Sequence, residues 1–410
     1  MKRDLDLLME ARNLDAILVG GKVLGNPPLI YLLNGARLTQ ALIVKKRGET
    51  PQLIVSPMER EEAVAAGYPV HLATRYGYAE LLRQHGGDML AASVAYQQRI
   101  LEDFGVSGRV GCYGYRDQGY AYVLLSALAA AMPGIELVGE CGADLITEAR
   151  ATKEPAEVER IRDAGCRTAT IVRQTVDFLQ AHPVGEEGAL RRTTGDGVLT
   201  VGDVHAHIRH LIAMQGLEDP EGFIFATGRD AGIPHSRGST DAPLRLGETI
   251  VFDIFPREAG GGYFFDMTRT FCLGYAPEAA QRLHRDVLNC LDHVKAAVKV
   301  GEEARLYQQM ACALFEECGH PTLAGDPTTL RGYVHSLGHG LGLDVHEAPS
   351  FGDNPGNTTC LKPGHVFTVE PGLYYPDEGT GCRLEDVLWI DEEGTVHTLT
   401  DFPYDLVIPM

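Results

Sequence analysis

Two segments carry paired carboxylates at spacings that could hold cations. In ETIVFDIFPREAGGGYFFDMTRTFCLG (248–274), Asp253 and Asp266 flank the turn-forming run PREAGGG. TIVFDIF and YFFDMTRTF are rich in β-branched and aromatic residues, which predicts a β-hairpin. The separation of 13 residues is odd, so both carboxylates fall on one face of an antiparallel pair. A turn centred between Ala259 and Gly260 sets them directly opposite, with Cβ atoms about 5 Å apart. Val251, Phe255, Phe264 and Thr268 share that face. Two anions in this mostly apolar setting repel each other and are costly to desolvate unless a cation joins them.

TVEPGLYYPDEGTGCRLEDVLWI (368–390) repeats the device, with Glu370 and Glu385 separated by 15 residues around PDEGTG. Between the hairpins, GYVHSLGHGLGLDVHEAPS (332–350) crowds His335, His339 and His346 into twelve residues of a chain with 15 histidines. The glycines there allow close backbone approach and suit strand or turn better than helix. His346-Glu347 is not a zincin helix, because no second histidine follows four residues later. Four carboxylates and one neutral imidazole carry the charge that two divalent cations neutralise. An oxygen-rich set with one nitrogen suits Mn²⁺, and also Co²⁺ or Zn²⁺. Two such ions about 3.5–4 Å apart hold a hydroxide at neutral pH and polarise a carbonyl, so the pattern points to metal-assisted hydrolysis.

The rest of the chain must position these groups. At 410 residues it is long enough for two domains. Residues 1–150 read as an α/β unit, with strands at 15–20, 41–46, 51–57, 109–114 and 135–139 and a helix at 118–132. Its glycine series GVSGRVG (105–111) matches no dinucleotide or phosphate-loop fingerprint. A break near 148–155 opens a second domain, 151–410. Val158, Ile161, Val172, Val176 and Leu179 recur at helical spacing and predict one amphipathic helix over 155–180. Residues 182–197 are polar and glycine-rich and read as a loop. Further helices are expected near 201–215, 277–298 and 302–318, the second with a stripe of Leu283, Val287, Leu291, Val294 and Val298.

Composition excludes several function classes. Apolar residues make up 44% and charged residues 22%, as in a globular protein. Lys and Arg total 36 against 56 Asp and Glu, a formal charge of −20, which repels nucleic acid and anionic membrane. The nine cysteines are scattered, odd in number and without a CxxC, which reads as reduced cytosolic thiols. The N-terminal MKRDLDLLMEARNLDAILVGG has acidic residues inside its only apolar run and lacks a signal-peptide core. No run approaches the ~18 apolar residues of a membrane span. A cytoplasmic location is expected.

At its motif residues the chain resembles the pita-bread metallopeptidases, the family of Xaa-Pro aminopeptidases, prolidases, methionine aminopeptidases and creatinase. VFDIF…YFFDMTRTF is similar to that family's first ligand hairpin. GHGLGLDVHEAP is similar to its histidine motif, TVEPGLY and GCRLEDVLWI to its two glutamate motifs, and ATKEPAEVERIRDAG to the helix opening its catalytic domain. The likeness covers roughly 150–405. Residues 1–150 resemble the creatinase-like N-terminal domain of the Xaa-Pro branch in length and strand pattern.

The resemblance implies an α+β chain: a C-terminal pita-bread domain with a smaller N-terminal α/β creatinase-like domain. It implies two divalent metal ions on Asp253, Asp266, His339, Glu370 and Glu385, with Asp266 and Glu385 bridging. Asp253 would hold one ion, and His339 and Glu370 the other. Glu370 would be general base to a metal-bridging hydroxide. His346 would steady the tetrahedral intermediate or the scissile carbonyl, His235 would meet substrate near the leaving group, and His335 would lie on the substrate side. Arg383 would orient Glu385 or meet a substrate carboxylate; a structural ion pair with Glu385 or Asp386 is the alternative. The implied reaction is hydrolysis of Xaa-Pro bonds in a dipeptide or short peptide, by a homodimer. A hydrolase or lyase of a small non-peptide metabolite on the same fold stands as a second reading, and a non-catalytic binding module as a third. The first hairpin is two residues longer than the family's usual spacing, and 184–200 is longer and more polar than the usual connection.

Overall fold

The computed structural model describes residues 4–410, so Met1–Arg3, where the reading of the N-terminus begins, lie outside the described residues. By its contacts the chain divides into two units. One runs up to Arg150 and includes Gly260–Gly262; the other comprises Ala151–Ala259 and Tyr263–Met410.

In the first unit, apolar runs pair into a six-stranded mixed sheet. Its strands are β1 (Ala16–Lys22), β2 (Gln40–Lys46), β3 (Gln52–Val55), β4 (Val70–Leu72), β5 (Gly108–Tyr113) and β6 (Ile135–Val138). Their order is β4-β3-β2-β1-β5-β6. β4 is absent from the sequence reading: three residues are too few to establish an alternating pattern. Helices Met89–Asp103 and Gln118–Ala131 bury Ile100, Leu101, Leu124 and Leu128 against Leu18, Val44 and Val110 of the sheet.

The second unit opens with helix Pro155–Gln180, started by Pro155 at N1 and by Glu157 accepting the Glu154 N–H at 2.9 Å. Helices Val201–Met214, Glu278–Ala297 and Arg305–Glu317 follow. Residues 182–197 are more ordered than a loop. Bridges join Val184 to Leu190, Arg191 to Val198 and Ala189 to Arg245, because buried Leu190 and Leu199 pull the segment inward. The stripe Leu283, Val287, Leu291, Val294 and Val298 packs with Tyr307, Ala311 and Phe315 in one buried cluster. That cluster also holds Phe367, Val369, Leu373, Leu384 and Leu388, so the two helices buttress the segment carrying Glu370 and Glu385.

The strands of this unit are β7 (Leu217–Glu218), β8 (Phe223–Thr227), β9 (Thr249–Ile254), β10 (Arg257–Glu258), β11 (Met267–Leu273), β12 (His339–Gly340), β13 (Glu347–Ser350), β14 (Val366–Val369), β15 (Gly372–Tyr375), β16 (Thr380–Arg383), β17 (Asp386–Ile390), β18 (Val396–Thr398) and β19 (Val407–Ile408). One sheet has the order β19-β11-β9-β8 and another β13-β12-β14-β17-β18.

The first hairpin differs from expectation in register. Asp253 pairs with Thr268, not Asp266, and Arg257 bridges Phe264. The turn therefore centres between Gly260 and Gly261, whose φ values of +90° and +94° only glycine adopts readily. Odd parity survives, so Asp266 stays on the face of Asp253 but two residues along, just before β11. The second hairpin keeps one register throughout. Val369 pairs with Asp386 and Gly372 with Arg383, which sets Glu370 opposite Glu385 in the gap between the two ladders.

Arg269 locks these hairpins together. It is 1% exposed. Nε donates to Pro403 O at 2.9 Å, Nη1 to Thr268 O and Glu385 O at 2.9 and 2.8 Å, and Nη2 to Asp386 Oδ1 and Phe402 O at 3.1 and 2.7 Å. All five guanidinium N–H groups have acceptors. Arg269→Met would strand the carbonyls of Pro403, Glu385 and Phe402 and half of Asp386, while Thr268 O keeps the Glu385 N–H. We expect it to cost about 3–5 kcal/mol of stability in denaturant unfolding, the range for breaking a buried charged contact; a loss below about 1 kcal/mol would contradict this role.

Candidate metal centre

The centre lies where the two hairpins and the histidine segment meet. Asp266 and Glu385 are 4% and 2% exposed, and Asp253 and His339 are also buried. Glu370 keeps a partial opening, with 17% of its side chain accessible. Ligand atoms of Asp266, His339 and Glu385 lie within 4.8 Å of one another, the one such group of three among the described residues. His339 Nε2 is 3.7 Å from Asp266 Oδ2 and 3.5 Å from Glu370 Oε1. Asp253 stands outside the tight group of three, joined to Arg383.

Backbone contacts explain these positions. The Glu370 N–H donates to Leu337 O at 2.7 Å, and the Glu385 N–H to Thr268 O at 3.1 Å. Glycines flank His339 because side chains would not fit. A Cβ on Gly338 would sit 2.1 Å from Thr368 O, and one on Gly340 2.0 Å from Ala348 O. His339 Nδ1 lies 3.1 Å from Gly340 O, so Nδ1–H donates there and the Nε2 lone pair faces the carboxylates. Burial, with help from His346, pushes His339 down to about 4, which keeps it neutral.

Arg383 is the fixed cation of the site. Nη2 donates to Asp253 Oδ2 at 2.5 Å and Nη1 to Tyr374 Oη at 2.7 Å and Pro234 O at 3.2 Å. Its partner is thus Asp253, neither Glu385 nor Asp386; Asp386 takes Arg269 and Lys295 instead. Parity sets Asp386 on the opposite face from Arg383, and the meeting of the two hairpins brings Asp253 within its reach. Two residues to which the sequence reading gave no role belong here. Thr268 Oγ1 donates to Glu385 Oε2 at 2.8 Å and accepts from Arg383 Nε at 3.2 Å. Tyr374 Oη lies 2.9 Å from His335 Nε2, and His335 Nδ1 lies 2.8 Å from Ser336 O. Since Arg383 already donates to Tyr374, the phenol O–H donates to His335. Even spacing placed both residues on the ligand faces: Thr268 is two from Asp266, and Tyr374 four from Glu370.

The outer histidines are placed differently. His346 is exposed, its ring centroid 4.2 Å from that of His339. His235 is exposed beside Pro234, whose carbonyl holds Arg383. His335 is half-buried. Its pKa is pushed down to about 3 by burial and then by Arg383.

The donor set fits cations. Asp253 Oδ1 and Asp266 Oδ1 are buried with no hydrogen-bond partner. Leaving charged oxygens unpaired in a buried site is costly, and a metal ion would satisfy them. Burial and then the charge of Glu385 hold Asp266 and Glu370 well above the usual carboxylate range. Burial and then Asp253 push Glu385 up to about 8.

These raised values make a pH prediction for metal-free protein. Each carboxylate binds its proton more tightly folded than unfolded, so its contribution to stability is lost as pH rises from about 4.5 through the folded value. The neutral histidines work oppositely, losing stability as pH falls below about 6.5. Unfolded histidine is still half-protonated near its ordinary pKa of about 6.5 and sheds that charge by about pH 7.5, so the carboxylates dominate only between about pH 7.5 and 8. The unfolding free energy of metal-stripped protein should fall there by on the order of 1–2 kcal/mol. Glu385→Gln or added divalent cation should flatten the slope; a rising free energy across that window would contradict the site's electrostatics.

With this geometry established, comparison with known proteins sets the family. The model of metallopeptidase family M24 matches residues 159–392. The chain is 28% identical over 265 residues to "Probable dipeptidase PepE" of Mycobacterium tuberculosis, covering 65% of this chain and 62% of that protein. It is 34% identical over 193 residues to the Xaa-Pro dipeptidase of Pyrococcus furiosus, covering 47% and 51%. The matched stretch thus spans less than two thirds of each of these relatives. In fold, it superposes on the X-Pro aminopeptidase from Thermotoga maritima with a TM-score of 0.75 at 22% identity, over 98% of this chain and 99% of that one. All the ligand candidates lie within the matched residues, and the chain belongs to metallopeptidase family M24, with its pita-bread fold.

Proposed function

We propose that this chain is a dinuclear metallopeptidase that hydrolyses Xaa-Pro bonds. The observation that carries the reading is the convergence of Asp266, His339 and Glu385 from three distant segments into one buried cluster. Asp253, Asp266, His339, Glu370 and Glu385 would hold two divalent cations, Mn²⁺ suiting the oxygen-rich set, with Co²⁺ or Zn²⁺ as alternatives. When bound, such cations supply Lewis acidity at the scissile carbonyl and acidify a water.

The protein groups would divide the remaining work. Glu370, partly open and 3.5 Å from His339, would take the proton of the attacking water. It would return that proton to the leaving nitrogen, which in a proline imide has no hydrogen of its own. His346 would donate to the carbonyl oxygen from the exposed side. His235 would bind the leaving side, and His335, held by Tyr374, would line the substrate wall. A substrate carboxylate would have to compete with Asp253 for Arg383, so the first role of that arginine is to hold Asp253. A cytoplasmic homodimer belongs to the same reading. Among the described residues no helix is long and apolar enough to cross a membrane.

With added Mn²⁺, the protein should cleave Ala-Pro, a longer Xaa-Pro peptide, or both. Dipeptide cleavage alone would make it a prolidase, and cleavage of both an aminopeptidase. Cleavage of neither by metal-loaded protein would refute the proposal and favour the small-metabolite enzyme. Glu370→Gln should lower kcat by about 10²–10⁴-fold, the range for losing a general base. Retention of more than a tenth of wild-type kcat would remove Glu370 from that role.

A further inference from the structure

A buried ion pair beside the histidine segment takes no part in the steps above. Lys153 Nζ donates to Glu347 Oε2 at 3.1 Å, and the two side chains are 2% and 3% accessible. The other oxygen, Glu347 Oε1, accepts the backbone N–H groups of Leu343 and Asp344 at 2.7 and 3.0 Å. The connection between β12 and β13, residues 341–346, is therefore folded around this carboxylate. Gly342 makes the room, since a Cβ there would sit 2.5 Å from Glu347 Oε2. Lys153 is itself fixed. Its N–H donates to Gly364 O at 2.7 Å, and Nζ also reaches Ala151 O at 3.3 Å.

His346 is the last residue of that connection and precedes Glu347 in the chain. Its ring stands exposed, yet packs 4.2 Å from the ring of His339. Its own backbone must be held for the ring to keep that place. The charge-assisted bonds to Glu347 supply such a hold from one residue away. Glutamine could not replace the glutamate. Its NH₂ group would turn a donor toward either the lysine ammonium or the two backbone N–H groups.

We propose that Glu347, anchored by Lys153, is a positioning residue that shapes the 341–346 connection and so holds the His346 imidazole against His339 at the mouth of the site. This rests on the reading of His346 as a substrate-facing group. A displacement of about 1 Å in such a group costs on the order of 10²-fold in rate.

The test is a double-mutant cycle on the full-length, metal-loaded protein, with Ala-Pro or the longer peptide as substrate. Glu347→Gln should lower kcat about 10–100-fold while KM changes less than about threefold and the bound metal count stays at the wild-type value. In a His346→Ala background, Glu347→Gln should cause no further loss. Losses that multiply, or a fall in metal count that parallels the fall in activity, would overturn the proposal. Lys153→Gln, which leaves the carboxylate in place but removes its lysine partner, should show the same pattern and serves if Glu347→Gln does not fold.

A second measurement is independent of turnover. In zinc-loaded protein with labelled histidine, the ring resonances of His346 should move in Glu347→Gln while those of His339 stay. An unmoved His346 resonance overturns the proposal. If His346→Ala alone leaves kcat unchanged, the substrate role of His346 falls, and a shifted resonance still establishes the positioning role of Glu347.

Discussion

Four carboxylates gathered into one largely buried cluster, with a single guanidinium among them, set the terms for everything else in the second unit. Two like charges 4 Å apart repel by about 4 kcal/mol at an effective dielectric of 20. Arg383 pairs directly with Asp253 and offsets the other three carboxylates only in part. Asp266, Glu370 and Glu385 are left to hold protons well above their usual range or to share cations. An arrangement so unfavourable without ions persists only if the surrounding fold is rigid enough to enforce it. The remainder of the unit can be understood as that enforcement.

Enforcement comes from ladders instead of loops. Glu370 and Glu385 sit between two paired stretches of one hairpin, so neither can shift without breaking register. Asp253 lies within β9, and Asp266 immediately precedes β11. Arg269 ties the first hairpin to the second and to residues 402–403 through donors that are all used. The buried stripe of helix Glu278–Ala297 supports the second hairpin from behind. The histidines form a gradient outward from this frame. His339 is buried and neutral among the carboxylates, His335 is half-buried under Tyr374, and His346 and His235 are exposed. Most groups that would hold ions are therefore fixed and buried, Glu370 being partly open, while His346 and His235, which would meet substrate, face solvent.

Much of this was legible in residue spacing, and its limits have physical causes. The 15-residue interval between Glu370 and Glu385 implied opposition, and the uninterrupted register delivers it. The 13-residue interval gave the correct face for Asp253 and Asp266 but the wrong partner. Composition located the turn in PREAGGG, whereas its centre depends on which glycines take positive φ, and those are Gly260 and Gly261. The helix over 155–180 was readable because apolar periodicity and Pro155 agree at its start. The partner of Arg383 was not readable, because Asp253 lies 130 residues away and pairing at that distance is a product of the whole sheet arrangement. The ordered bridges of 182–200 were hidden for a similar reason: they depend on Leu190 and Leu199 being buried, which a polar, glycine-rich stretch does not announce. Charge balance already suggested two ions; family resemblance added the assignment of roles, which spacing alone left open.

The central claim is that this pocket is built around ions. Elemental analysis of wild-type protein and of Asp266→Ala, each dialysed against Mn²⁺ and then against buffer, tests it most directly. The account predicts about two ions per wild-type chain, as a carboxylate-bridged pair requires, and one or fewer in the folded variant. Wild-type protein that retains no Mn²⁺, Co²⁺ or Zn²⁺ under any loading, or a folded Asp266→Ala that keeps the full complement, would contradict it.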